Sequence, residues 1–251
     1  VLGLVLIASQ ALFSNGVSFT FPLILSHEYD VPDQCTGAYV LAMAIANLLG
    51  PMLLGHWFDT RGRRVMISRT YVLAGLVMAG TELLFLRGHL AAPPGAGVGE
   101  PLRFSLAALF GHGELTALTQ TFLWAVAFFF ASAAASAGYL TVNEIFPVEM
   151  RGLAIALFFA VDTAVAAASP TRFGYLVETG QPLYLFFGYL AGANVMIGAG
   201  LTEWWLGLDT EQKSLEDVAT PLRSEQPAAA ASVPAADSLR PARPAPATSQ
   251  R

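Results

Sequence analysis

The chain has 251 residues, 55% of them hydrophobic and only 12% charged, whereas a soluble domain carries roughly 25% charged residues. Its mean hydropathy of +0.55 and its apolar runs, longer than the roughly 18–20 residues that cross a bilayer as a helix, exclude an ordinary soluble protein. They predict an all-α membrane protein. The formal net charge of −5 sits largely in ends and loops and points to no nucleic-acid partner.

Six apolar segments follow in chain order. The first, about 1–25, opens inside an apolar run, which reads as the interior of a longer protein. The second, about 35–57, and the third, about 65–86, flank the charged stretch "FDTRGRR". A Gly- and Pro-rich break at 87–118 reads as a loop insertion, with "LFLRGHLAA" echoed by "LFGHGELTA" near its two edges. The fourth segment is about 119–143. The fifth, about 152–177, is interrupted at "SPTR", where Pro170 marks either a bend or an early helix end. The sixth is about 182–206. Residues 1–208 are thus expected to form a six-helix bundle. Residues 209–251, rich in Ala, Pro, Ser and Arg, read as a largely disordered tail.

Small-residue runs such as "ASAAASAG" and "GYLAGANVMIGAG" predict close helix packing. The aromatic runs "FFF" (128–130) and "WW" (204–205) read as lipid-facing and interfacial anchors. One cysteine, Cys35, excludes a disulfide framework or a cysteine-rich metal site, and His27, His56, His89 and His112 show no ligand spacing. Arg61, Arg63, Arg64, Arg69, Arg151 and the basic residues of the tail fall on one side of the bilayer, with Arg87, Arg103 and Arg172 on the other. The positive-inside rule makes the first side cytoplasmic and puts both termini there, in the cell membrane.

The loop from Gly55 through Asp59, Arg61, Gly62, Arg63 and Arg64 reads G-x-x-x-D-x-x-G-R-R. It resembles the cytoplasmic loop signature of the major facilitator superfamily. "NEIFPVEMRG" (143–152), with Glu144, Glu149 and Arg151, is similar to the E-x-F-P-x-x-x-R-G loop of its sugar porters, and "DTEQKSLEDV" (209–218) to their acidic tail. The resemblance implies six transmembrane helices forming one half, helices seven to twelve, of a major facilitator fold, whose partner is an N-terminal six-helix half. It also implies that Arg63 or Arg64 meets Glu144 in a cytoplasmic gate, with Glu149 and Arg151 joining it and Asp59 turned toward the other half.

Polar residues inside a membrane are costly and mark a task or a partner. "SQALFSN" (9–15), with Gln10 and Asn15, is similar to the sugar-porter Q-Q-x-x-G-x-N, with Ser9 and Phe13 as departures. At 100° per residue the two amides lie about 140° apart, so both can edge a cavity without stacking. Asn47 stands where the family carries a sugar-binding Asn, and Tyr139, in "ASAGY", where it carries a Trp. Asp162, roughly 16 Å along a helix from Arg151, falls near the middle of a hydrocarbon core about 30 Å thick. These five residues are the candidate substrate contacts, and Asp162 is the candidate for proton coupling; for each the alternative is a bond between helices. Glu82 and Glu203 read as interfacial, and Asn194 as a helix–helix contact.

The function implied is secondary transport of a small polar organic solute, a sugar or another metabolite, by alternating access in the lipid bilayer. No cofactor is implied beyond a proton or other ion gradient. A non-transporting sensor or scaffold, or an inactive truncated product, is the alternative, and no catalytic or phosphate-cradling pattern suggests an enzyme.

Overall fold

A computed structural model describes residues 2–91, 116–145 and 148–207. Of the loop insertion expected at 87–118, residues 87–91 and 117–118 are helical; residues 92–115, 146 and 147, and the tail from 208 onward lie outside the described set, and with them the acidic tail motif. Among the described residues the chain forms six helices: α1 (Leu2–Tyr29), α2 (Asp33–Arg61), α3 (Arg63–Ala91), α4 (Ala117–Ile145), α5 (Val148–Glu178) and α6 (Pro182–Leu206). Each is long and apolar enough to cross a membrane. The shortest, α6, has 25 residues, about 38 Å at 1.5 Å per residue, against a hydrocarbon core of about 30 Å. In such a solvent every backbone N–H and C=O must be paired within the protein, which is what continuous helices achieve.

The breaks have local causes. Pro32 precedes α2 and cannot extend α1, and Asp30 there takes a positive φ of 49°. Gly62 turns α2 into α3 at φ 98°, a conformation that side chains with a Cβ rarely adopt. The glycine before the arginine pair is therefore required by the turn itself. Pro170 does not end α5, which runs unbroken through "SPTR". A proline deprives the carbonyl four residues earlier of its helical donor, and here Ser169 Oγ donates to that carbonyl, on Ala166, at 3.3 Å.

The helices pack most extensively as α3 on α6, α2 on α4 and α1 on α5, with α3 also broad on α4. Exchanging α1–α3 for α4–α6 maps these pairs onto one another. Each unit has three spans, so the two run oppositely through the bilayer, as inverted repeats. This arrangement is consistent with half of a major facilitator fold. The turn at Gly62 and the start of α5 share one end of the bundle, the arginine-rich end.

The core gathers on α1, α3, α4 and α6. Trp124 of α4 is fully buried, its ring 5.2 Å from those of Phe21 on α1 and Tyr189 on α6. Phe128 belongs to this core rather than to the lipid face, 5.5 Å from Phe13. The triple-Phe run turns around the helix, so only part of it faces outward. Trp204 and Trp205 are exposed, as anchors would be.

Two glycines bring one helix against the backbone of another. A Cβ on Gly50 of α2 would overlap the Phe129 carbonyl and Ser132 Oγ of α4, and one on Gly75 of α3 would come within 2.7 Å of the Ala193 carbonyl of α6. A Cβ on Gly80 meets nothing within 4 Å. Gly50→Ala is expected to destabilise the bundle by about 1–3 kcal/mol through overpacking, whereas Gly80→Ala leaves it unchanged or slightly more stable. Thermal unfolding in detergent measures both, and equal midpoints for the two variants would contradict the α2–α4 approach.

Candidate functional site

Four helices border one polar cavity of about 290 Å³. Gln10, Ser14 and Asn15 enter it from α1, Asn47 and Pro51 from α2, Ser132, Ser136 and Tyr139 from α4, and Asp162 from α5. All five residues expected to touch substrate, from four separate segments of sequence, thus line the same space.

Their hydrogen bonds leave capacity for a ligand. Gln10 is 8% exposed; its Nε2 donates to Ser14 Oγ at 2.8 Å, while its Oε1 is buried without a partner. Asn15 Nδ2 donates to the Ala11 carbonyl at 3.0 Å, which uses one of the two hydrogens on that amide. Tyr139 donates its hydroxyl hydrogen to Asp162 Oδ1 at 3.2 Å and stacks on Phe159 with centroids 5.8 Å apart. The phenol thereby orients the carboxylate at the cavity edge. Asn47 is exposed toward the open side, and Pro51 deprives the Asn47 backbone carbonyl of its helical donor. Amides, hydroxyls, a carbonyl and one carboxylate are the groups that bind a polyhydroxylated or otherwise polar solute.

The serines were not singled out from sequence, although a signal was there. Ser132, Ser136 and Tyr139 recur at four- and three-residue steps, as do Gln10 and Ser14, and this spacing places side chains on one helix face. The serine hydroxyls of α4 donate to their own helix, Ser136 Oγ to the Ser132 carbonyl at 3.1 Å and Ser132 Oγ to that of Phe129 at 3.2 Å. Their oxygens remain acceptors.

The charged loop residues lie at the arginine-rich end. Gly55 is half-buried in α2, Gly62 forms the turn, Arg63 and Arg151 are half-buried, and Glu149 is exposed in the first turn of α5. The Arg61 guanidinium lies over the Trp57 ring, 5.1 Å from its centroid. Arg64 donates from Nε to the Trp204 carbonyl at 3.1 Å, and Nη2 reaches the same oxygen. It thus ties the start of α3 to the end of α6, where a cation is favoured by the helix dipole. The side chains of Asp59 and Glu144 lie outside the described set.

Three further polar residues sit elsewhere than expected. Glu82 and Glu203 are not exposed at an interface but buried, 2% and 0% exposed, on the seam where α3 and α6 pack together. Asn194 makes no bridge between helices; it is exposed and donates to the Leu190 carbonyl one turn back on α6, at 2.8 Å.

Breaking the Tyr139–Asp162 bond gives a test of the site geometry. In a double-mutant cycle of Tyr139→Phe and Asp162→Ala, unfolding in detergent is expected to show a coupling of about 1 kcal/mol. Strictly additive effects would mean that the two side chains do not meet.

No family model matches the chain, and no solved structure matches it. Among curated proteins it is similar to one described as Sugar transporter ERD6-like 16, from Arabidopsis thaliana, with 26% identity over 186 residues. The match covers 71% of this chain and 32% of that protein, so the chain corresponds to about a third of its relative's length. The chain is a distant relative of a plant sugar transporter, and its six apolar helices are consistent with half of a major facilitator fold.

Proposed function

We propose that the chain is the C-terminal half, helices seven to twelve, of a secondary transporter for a small polar organic solute, a sugar or another metabolite. The observation that carries this reading is the convergence of Gln10, Asn15, Asn47, Tyr139 and Asp162 on one cavity. Polar groups on an open face would be costly against lipid. They fit a water-filled path or the seam with a second bundle, and α2 and α5, which border the cavity, are the helices least covered by this one. An N-terminal six-helix half on that face would enclose the solute between two bundles, and rocking of the halves would expose it to each side in turn.

In this scheme the amides of Gln10, Asn15 and Asn47 and the serine hydroxyls recognise the solute. Asp162, oriented by Tyr139, takes up the coupling proton; the driving force is the ion gradient, with no cofactor. The arginine-rich end faces the cytoplasm. There Gly55, Asp59, Arg61, Gly62, Arg63 and Arg64 form the gate with Glu144, Glu149 and Arg151, and Asp59 is turned toward the other half.

Uptake of labelled sugars and polar metabolites by a transport-deficient cell expressing the full-length gene tests the reading. Asp162→Asn is expected to abolish the dependence of uptake on external pH, while Glu178→Gln, at the exposed end of α5, keeps it. Unchanged pH dependence in Asp162→Asn would sink the coupling role. Gln10→Leu is expected to raise the half-saturating concentration about tenfold, equivalent to ~1.4 kcal/mol. It should change thermal stability little, because loss of the Ser14 hydrogen bond is offset by removal of a buried oxygen that has no partner.

A further inference from the structure

Away from the cavity, one buried acid has no part in the scheme above. Glu82 of α3 is 2% exposed, and its Oε1 has no hydrogen-bond partner. It lies six residues inside the end of the span Arg63–Gly88, about 9 Å deep from the arginine-poor face. Trp124 of α4 turns its indole toward the carboxylate, although Nε1 and Oε1 stay outside hydrogen-bond geometry. Tyr189 of α6 and Tyr29 of α1 lie within reach of its charge.

These neighbours are neutral and already engaged. Tyr29 donates to Gln120 Oε1 at 3.4 Å, and the Tyr189 hydroxyl shares a 2.5 Å hydrogen bond with Thr20 Oγ1. Glu28, beside Tyr29, adds a second acid from α1. On α2, Tyr39 stands at a similar depth beside Cys35. The nearest arginine along α3, Arg87, is exposed. The opposite end of the α3–α6 seam differs. There Glu203 lies beside Tyr71, and Glu203 Oε1 and Arg64 Cγ both come within 2.8 Å of the point where a Cβ on Gly207 would sit. One buried acid has an arginine at hand; the other, among the described residues, lies near phenols, an indole and a second acid.

An ionised carboxylate in apolar surroundings is costly unless paired and hydrogen-bonded. Glu82 is buried to 2% exposure with Oε1 unpartnered, and binding a proton removes the charge that makes such a site costly. We propose that Glu82 is a proton-binding site served from the arginine-poor face, and that the seam of α1, α3, α4 and α6 closes around the neutral acid and loosens around the anion. The step is a proton transfer: an O–H bond of hydronium breaks, one forms on the carboxylate, and water leaves. It is separate from Asp162, which sits at the cavity.

Infrared spectroscopy of the full-length protein in lipid vesicles, titrated with pH in the absence of solute, tests this. A carboxyl C=O band is expected to fade as pH rises, to be missing in Glu82→Gln and to persist in Asp162→Asn. Identical pH-dependent C=O signals in the wild type and Glu82→Gln, or a Glu82-dependent band that does not titrate, would overturn the proposal. Should Glu82→Gln fail to fold, Trp124→Phe serves instead: it is expected to shift the midpoint of the band, and an unshifted midpoint would equally overturn the assignment. No transport is measured, so the outcome is independent of the proposed function.

Discussion

The close approach of α2 to α4 at Gly50 is the constraint on which the cavity depends. Lipid offers no hydrophobic drive for helix association, so backbones come together only where side chains are small enough to permit it. Gly50 lets α2 reach the Phe129 carbonyl and Ser132 of α4. Its neighbours Asn47 and Pro51 then face Ser132 and Ser136 across the same space. A larger residue at 50 would move the Asn47 wall away from the serine wall, although neither wall would itself have changed.

The opposite wall is built from α1 and α5, which the inverted repeat relates to α4 and α2. Ile7 of α1 packs with Ala154 and Phe158 of α5, and the partly buried Tyr139 joins that cluster. Tyr139 therefore belongs both to an apolar contact, through its ring, and to the cavity, through its hydroxyl. This dual placement holds Asp162 at the edge, within a bundle whose remaining core, around Trp124 and Tyr189, is largely apolar and aromatic. Polar function and apolar packing are divided by helix face rather than by segment, which explains why every helix bordering the cavity also contributes to the core.

That division also decides what the sequence could reveal. Gln10, Asn15, Asn47 and Asp162 were legible because an amide or acid in the middle of an apolar run is conspicuous, and the loop motifs supplied the distances that locate it. Ser132 and Ser136 were not, because small hydroxyls in an alanine-rich helix serve packing as readily as binding. Glu82 was misjudged because its depth was taken from the end of the apolar run, at residue 86, whereas α3 continues to Ala91 and α6 covers it. Asn194 was misjudged for the opposite reason: an asparagine can satisfy itself on the carbonyl one turn back and needs no second helix.

The two buried acids show how charge in a loop can break the symmetry of a fold. On the α3–α6 seam, Glu82 from α3 lies near Tyr189 from α6, and Glu203 from α6 lies near Tyr71 from α3. Exchanging the repeats turns one pairing into the other. What they do not share is Arg64, which follows the Gly62 turn and reaches the end of α6. A loop signature that concentrates arginines at one end of the bundle thus makes equivalent helix contacts chemically unequal. At the arginine-rich end Arg64, held on the Trp204 carbonyl, stands in the neighbourhood of the buried Glu203. At the other end the neighbours of Glu82 among the described residues are phenols and an indole, whose hydrogen-bonding groups can serve a neutral acid without a counter-charge.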